Sequence, residues 1–122
     1  MDDTRLATVE LQFANIIWAN APLTTRKLVE MCGEELHWQR TTTYTVLKKL
    51  CDRGMFVNES STVKVLITRD EYYAIQSEKL IEEAFGGSLP AFVAAFASHK
   101  NLTKEEGEAL AEVLAAIRKE KL

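Results

Sequence analysis

Apolar residues recur three and four positions apart along most of the chain, which is the spacing of an amphipathic α-helix. This pattern predicts a first helix from about Thr4 to Asn20, ended by Ala21-Pro22. A second helix is predicted to begin at Thr24 or Thr25, either of which can cap it, and to end at Gly33 as a left-handed stop.

The third predicted helix opens with the stretch QRTTTYTVLKKL, residues 39–50, and ends at Arg53-Gly54. The only predicted strand pair follows it. Phe56–Val57 and Val63–Ile67 are rich in β-branched residues, and the five residues between them favour a turn. Three helices followed by a hairpin predict a winged helix-turn-helix, in which the hairpin is the wing.

The rest of the chain has the pattern of three more amphipathic helices. Residues 68–71 form a capping box that starts a helix running to Phe85, with Tyr73 on its apolar face, and Gly86-Gly87 breaks that helix. Ser88 caps a fifth helix, and a second capping box at residues 103–106 starts the last one. The predicted fold is mainly α, with a winged-helix domain over residues 1–68 and a helical dimerisation domain over residues 69–122.

The apolar faces of these last helices need a surface to cover them, because too few residues remain for a separate core. They could fold back on the winged helix of the same chain or pack against a second copy. We favour a homodimer, because three such faces exceed what the back of a small winged helix could cover. The residues predicted at the dimer interface are Leu80, Phe85, Leu89, Phe92, Val93, Phe96, Leu110, Val113, Leu114 and Ile117.

The threonines of the third helix are unexpected, because threonine is a poor helix former. The predicted inner face holds Tyr44, Leu47, Leu50 and Cys51. The outer face then carries small hydroxyl and methyl groups beside ammonium groups, which suits base edges and phosphates in a major groove. The predicted DNA-binding residues are Arg40, Thr41, Thr42, Thr45, Lys48, Lys49 and Lys64. A simpler interpretation is that the threonines only start a helix, by satisfying its first amides, and that its outer face is solvated.

The formal net charge of −3 argues against a nucleic-acid partner, but the distribution of charge argues for one. From Arg40 to Arg69 there are six basic and two acidic residues, a local net charge of +4. Acidic residues collect instead at the N-terminus and in the last third of the chain. The segment predicted to bind DNA is therefore basic within an acidic protein.

Several classes of function are not expected. No apolar run is long enough to span a membrane, and the acidic start is not followed by the apolar segment of a secretory signal, so we expect a cytoplasmic protein. The chain has no glycine-rich phosphate loop and no nucleophile–base spacing, so we do not expect an enzyme.

The cysteines and histidines are scattered and give no metal-ligand spacing, so neither a metal nor another cofactor is expected. Cys32 and Cys51 are expected as buried, reduced thiols, although a disulfide is compatible with their number. His37, beside Trp38, is expected in a turn or at a phosphate rather than as a catalytic base.

Three groups of residues stand out by their order and spacing. In the first helix, Glu10-Leu11 precedes an apolar run that ends in Ile17-Trp18. The turn and third helix carry Trp38, Thr41, Thr42, Thr45, Leu47, Lys49-Leu50 and Arg53-Gly54. Later landmarks are Glu71-Tyr72, Gly87-Ser88 and residues 102–106. Over nearly its whole length the chain thus resembles the penicillinase-repressor family, which includes copper-transport repressors. The resemblance implies a dimeric winged-helix repressor of a two-fold symmetric operator, with the C-terminal helices forming the dimer.

Three departures limit what the resemblance implies. The segment Thr62–Thr68 lacks the arginines and the Tyr-x-Pro sequence of the family's wing, so the resemblance implies fewer DNA contacts there. Ala95-Phe96 stands where the antibiotic-resistance members are cleaved between Asn and Phe, so proteolytic induction is not implied. The tail Arg118–Leu122 lacks the cysteine cluster of the copper-responsive members, so copper sensing is not implied.

Two hypotheses of different classes follow. The first is a homodimeric transcriptional repressor that places the Thr41–Lys49 helix in the major groove of each half of a palindromic double-stranded DNA operator. The alternative is a winged-helix module that binds an acidic protein partner through its Arg40–Arg53 face and recognises no operator. Steeply salt-dependent binding with a sequence-specific footprint distinguishes the first from the second.

Overall fold

The structure is a computed structural model that describes residues 5–121, and the side chains of residues 5–120. Its helices are α1 (Thr8–Asn20), α2 (Thr25–Leu36), α3 (Arg40–Asp52), α4 (Arg69–Phe85), α5 (Leu89–His99) and α6 (Lys104–Lys121). Its strands are β1 (Leu23–Thr24), β2 (Phe56–Glu59) and β3 (Thr62–Val65), which form one antiparallel sheet in the order β1-β3-β2. The predicted fold class, a winged helix-turn-helix followed by helices, is confirmed. The chain divides into two compact units, the first ending at Glu78 and the second beginning at Lys79.

The first unit has a single hydrophobic core between α1, α2, α3 and the sheet. Phe13, Leu28, Leu50 and Phe56 come from four different elements, and each is at most 1% exposed. Each of these elements buries one face in this core. The packing of these faces holds α3 in a defined orientation.

Two hydrogen bonds attach the start of α4, and the residues just before it, to α1 and the segment that precedes α1. The indole N–H of Trp18 donates to the carbonyl of Ile67 at 3.0 Å, and the backbone N–H of Leu6 donates to the Tyr72 hydroxyl at 2.9 Å. Tyr72 is 5% exposed, whereas Tyr73, which the apolar pattern placed on the packed face, is 42% exposed. Tyr72 and not Tyr73 therefore fixes the start of α4 to the first unit.

The helix α1 begins later than predicted. Residues Arg5 to Ala7 precede it without helical structure, and Thr4 lies outside the described residues. The carboxylate of Glu10 accepts a hydrogen bond from the Ala7 N–H at 2.9 Å, so a side chain from the first turn caps the start of the helix.

The helix α2 ends later than predicted, because Gly33 is not its stop. The helix continues through Gly33 to Leu36, and the left-handed residue is His37, with φ of 59°. The N–H of Trp38 then donates to the Cys32 carbonyl at 3.3 Å, which satisfies one of the last free carbonyls of the helix. His37 is thus the turn residue that orients the chain into α3.

The sheet contains one strand more than predicted, so the expectation of a single strand pair is wrong. β1 pairs with β3, with Leu23 opposite Val63 and Thr24 opposite Thr62. Two residues are too few to show the alternation by which a strand is recognised. The β2–β3 turn is Ser60-Ser61, with φ of 51° and 64°, as a tight two-residue hairpin requires.

The hairpin strands also have other ends than predicted. β2 extends to Glu59, and β3 ends at Val65 instead of Ile67. The N–H groups of Leu66 and Ile67 both donate to the carbonyl of Met55, at 3.0 and 3.1 Å. Because one carbonyl accepts both bonds, the regular ladder cannot continue past Val65.

The helix starts predicted for the C-terminal part are confirmed. Thr68 and Glu71 form a reciprocal capping box, with bonds of 2.8 and 3.1 Å, and Thr103 and Glu106 form another. The Ser88 hydroxyl accepts from the first turn of α5 at 3.1 Å. The break between α4 and α5 needs two glycines, because positions 86 and 87 have φ of 57° and 85°.

Within residues 5–121, no single helix is long and apolar enough to cross a membrane; α4 and α5 pass that test only as a sharply bent pair. The same residues contain no group of three or more His, Cys, Asp or Glu side chains arranged to hold a metal ion.

Candidate nucleic-acid interface

Two of the four threonine hydroxyls of α3 bond to the helix itself. The Thr45 hydroxyl donates to the Thr41 carbonyl at 2.9 Å, and the Thr43 hydroxyl donates more weakly to the Gln39 carbonyl at 3.5 Å. The cap residue, Gln39, makes no side-chain bond to the first turn. These two hydroxyls therefore bond to carbonyls four residues earlier and do not satisfy the unpaired amides of the first turn, which the simpler interpretation proposed.

The threonines divide into one buried residue and three exposed residues. Thr43 is 1% exposed and packs in the core with Leu47 and Leu50, a role that the sequence pattern missed. Tyr44 and Cys51, predicted on the inner face, are only half-buried at its edge. Thr41, Thr42 and Thr45 are exposed, and we call these three side chains the threonine face.

The threonine face presents small side chains on the exposed side of α3. Because the Thr45 hydroxyl proton is held by a backbone carbonyl, this side chain offers its methyl group and an oxygen acceptor to a partner. Short side chains also let another molecule approach the helix closely. Methyl groups and acceptors of this kind match the thymine methyl and the amino groups displayed in a major groove.

Lys48 lies on the flank of α3 that faces the wing, and it is paired with Asp52 at 2.9 Å. The hydrogen bond to Asp52 raises the pKa of Lys48 above its ordinary value, so the ammonium is fully charged at neutral pH. Both side chains are largely exposed, at 77% and 65%. Exposed pairs four residues apart on a helix are weak, so Lys48 can exchange this partner for another anion.

Lys49 lies on the opposite flank and is paired with Glu10 of α1 at 2.6 Å. Arg53 approaches the other oxygen of the same carboxylate at 3.6 Å. The hydrogen bond from Lys49 is the main cause that lowers the pKa of Glu10, against an opposing effect of burial. Glu10 is therefore ionised at neutral pH, and its stabilising effect is lost only as the pH falls below the ordinary carboxyl range.

On the wing, Lys64 of β3 pairs with Glu59 of β2 at 3.1 Å. Both side chains are more than half exposed, so the pair neutralises charge locally and adds little stability. The basic stretch found in the sequence is thus less uniform in the fold, since Lys48, Lys49 and Lys64 each have a carboxylate partner.

A cleft with two arginines lies beside the start of α3, and we call it the arginine cleft. It is lined by Thr24, Thr25, Arg26, Arg40, Tyr44, Ser60, Ser61 and Thr62. The N–H of Thr25 donates to the Ser61 carbonyl at 2.9 Å, which holds the start of α2 against the wing turn. The guanidinium of Arg40 lies 5.3 Å from the centre of the Tyr44 ring, close enough for a cation–π contact.

The arginine cleft is suited to an anion. Its lining contains two guanidinium groups, five hydroxyl-bearing threonines and serines, and no carboxylate. Among residues 5–121, neither Arg26 nor Arg40 forms a salt bridge. Sequence reasoning missed Arg26; its place directly after two candidate cap residues was the available signal, because anions favour helix starts.

The two cysteines are free thiols with no part in this surface. Cys32 is buried, and burial raises the pKa of its thiol to about 11, against a smaller lowering by Thr43. Cys51 is half-buried, not buried as predicted, and its pKa is also raised, chiefly by burial. Neither thiol is therefore a ready nucleophile at neutral pH.

The residues predicted at a dimer interface lie at or near the surface of the single chain. Phe85 and Phe92 contact each other, with ring centres 5.5 Å apart, and are half-buried together with Val93 and Leu110. The more exposed side chains, each 48–53% exposed, are Leu80, Leu89, Phe96, Val113, Leu114 and Ile117. So much apolar surface on the helices of one unit is typical of a protein–protein contact.

Comparison with known proteins shows which proteins this chain is similar to. The family model described as "Penicillinase repressor" matches residues 6–116. A curated protein called penicillinase repressor, from Bacillus licheniformis, is 22% identical over 115 residues, which cover 90% of this chain and 89% of that protein.

Proposed function

This chain belongs to the penicillinase repressor family, and on that premise we propose that it is a homodimeric repressor that binds a two-fold symmetric DNA operator through α3. Family membership supports the transcriptional-repressor role. The observation that carries the rest is the threonine face, three small exposed side chains on a helix whose opposite side is locked into the core.

In this proposal the two predicted domains have separate functions. Residues 1–68 bind DNA, and residues 69–122 dimerise. A single helix contacts only a few base pairs, so a dimer is needed to double the contact area and to recognise a palindrome. The exposed apolar side chains of α5 and α6 support this part of the proposal, because a second copy would remove them from water.

We assign phosphate contacts to the cations that can be released or are already unpaired. Arg40 and Arg26 in the arginine cleft have no carboxylate partner among the described residues, and Lys48 and Lys64 have only exposed, weak ones. The wing lacks the arginines of the family pattern. In this proposal the arginine cleft beside the wing supplies contacts to the DNA backbone in their place. Lys49 is left out of this group because Glu10 holds it.

The alternative, a module that binds an acidic protein and no operator, would use the same cations but not the threonines. The two classes of residue therefore distinguish the hypotheses. Charge alone cannot read a sequence, whereas methyl and hydroxyl contacts to base edges can.

Thr45→Ala and Lys48→Ala should impair DNA binding in different ways. Thr45→Ala should reduce the preference for operator over random DNA by about 1–3 kcal/mol, because a base contact is lost, and leave the salt dependence unchanged. Lys48→Ala, like Arg26→Ala, should weaken binding to both DNAs and lower the slope of log K against log salt by about one per phosphate contact. Titrations at several salt concentrations, on a duplex enriched from a random pool and on its scrambled version, measure both quantities.

Thr42→Ala belongs in the same series, since Thr42 is exposed and makes no hydrogen bond to the helix through its side chain. If neither Thr42→Ala nor Thr45→Ala changes the operator preference, α3 does not read bases through its threonines. Binding to an acidic protein with the same salt dependence, and without any preferred duplex, would then favour the alternative.

A further inference from the structure

The ion pair between Glu10 and Lys49 differs from the other ion pairs near α3. Glu10 is only 14% exposed, and its carboxylate contacts Lys49 at 2.6 Å, Arg53 at 3.6 Å and the Ala7 N–H at 2.9 Å. The carboxylate is thus fixed by a backbone N–H and by two cations at once. The Lys48–Asp52 pair has two exposed partners on one helix and no such support.

Lys49 occupies a position from which it could contact DNA. It follows Thr45 by four residues, so it lies one helical turn along the same face, and its side chain is 60% exposed. An unrestrained lysine at this place would be free to neutralise a phosphate on any sequence. When Lys49 is paired with Glu10, the carboxylate compensates the charge of the lysine within the protein.

We propose that Glu10 is a specificity-determining residue, which withholds the charge of Lys49, and in part that of Arg53, from the DNA backbone. The inference rests on the proposed operator-binding function. Backbone contacts strengthen binding to every sequence alike, so each cation withheld lowers the affinity for random DNA without removing a base contact. The cost is a lower absolute affinity, and the gain is a protein that is less occupied by non-operator DNA.

The main test is Glu10→Gln in the full chain. Glutamine keeps an oxygen that can accept the Ala7 N–H, so the start of α1 is retained while the charge is removed. Affinity for a random duplex should rise about three- to tenfold at about 50 mM salt, and the slope of log K against log salt should steepen by about 0.9 per freed cation. Glu35→Gln is the control, because it removes the same charge from an exposed position on α2.

Two further variants identify the cation and separate this role from a purely structural one. In the Lys49→Gln background, Glu10→Gln should give at most half of the increase in slope, since only Arg53 remains to be freed. Lys49→Gln alone should leave the slope on random DNA unchanged, whereas Lys48→Gln should lower it by about 0.9. This second comparison needs no Glu10 variant and stands even if Glu10→Gln fails to fold.

The results that overturn the inference are distinct from those that overturn the proposed function. A folded Glu10→Gln protein with unchanged or weaker binding to random DNA, or a lower slope for Lys49→Gln alone, shows that Glu10 only braces α1 against α3. An increase of equal size in Glu35→Gln assigns the effect to net charge and also overturns the inference. Wild-type protein with no preference for any duplex contradicts the proposed function itself.

Discussion

Replacing Phe96 with alanine is expected to convert the protein from a dimer to a monomer while the first unit stays folded. Phe96 belongs to the second unit and is 48% exposed in the single chain, so its truncation leaves the core of the first unit intact. In the proposed dimer the ring is covered by the second copy, and losing a buried phenylalanine costs about 3–5 kcal/mol. The dimer dissociation constant should therefore rise on the order of a hundredfold or more, as measured by sedimentation equilibrium.

Leu66→Ala is the matched control for this change. Leu66 is 56% exposed but belongs to the first unit, outside the predicted dimer interface, so its truncation should leave the dissociation constant unchanged. Operator affinity should fall with dimerisation in the Phe96 variant, because a monomer holds only one half-site. Wild-type protein that sediments as a monomer at micromolar concentration would contradict the proposed dimer.

Replacing Phe13 with alanine is expected to unfold the first unit, or nearly so. The ring is completely buried and stacks on Trp38, with ring centres 5.4 Å apart, at the junction of α1 and the turn into α3. The cavity and the lost contacts cost about 3–5 kcal/mol, which is a large part of the 5–15 kcal/mol that stabilises a typical domain. Urea denaturation followed by tryptophan fluorescence measures the free energy of unfolding, and Trp38 itself reports on the site.

Val9→Ala is the control on the same helix. Val9 is 50% exposed, so its truncation should change the free energy of unfolding by less than about 0.5 kcal/mol. DNA binding should be lost by Phe13→Ala and retained by Val9→Ala. A Phe13→Ala protein as stable as the wild type would show that the core of the first unit is not arranged as described.

The architecture could be predicted from the sequence because its elements carry local signals. The capping boxes at Thr68 and Thr103 need only residues three positions apart, and the paired glycines 86 and 87 mark a break that requires positive φ. Where a local signal conflicted with packing, the sequence was misleading. Gly33 resembles a helix stop, yet the chain turns only at His37, because the packing of Leu36 and Trp38 against the core continues the helix past the glycine.

The sequence predicted which side chains of the candidate site are exposed, but not which carboxylates pair with its cations. The outward direction of Thr41, Thr42 and Thr45 follows from helical periodicity, and the structure places all three at the surface. The partner of Lys49 depends on how α1 packs against α3, and no local pattern links Glu10 to it. Arg26 and Arg40 line one cleft together with the Ser60-Ser61 turn, which is distant in sequence and accepts a hydrogen bond from Thr25, so no local pattern indicates that they share a site.

Selection of a preferred duplex from a random pool by the wild-type protein tests whether a dimer recognises an operator through α3. A dimer that reads DNA through α3 should enrich sequences that share an inverted repeat whose half-site centres lie about 10 base pairs apart, or a multiple of that distance, with both halves protected in a footprint. Enrichment of no sequence, or of a single asymmetric site protected on one half only, would contradict the claim that a dimer reads DNA through α3.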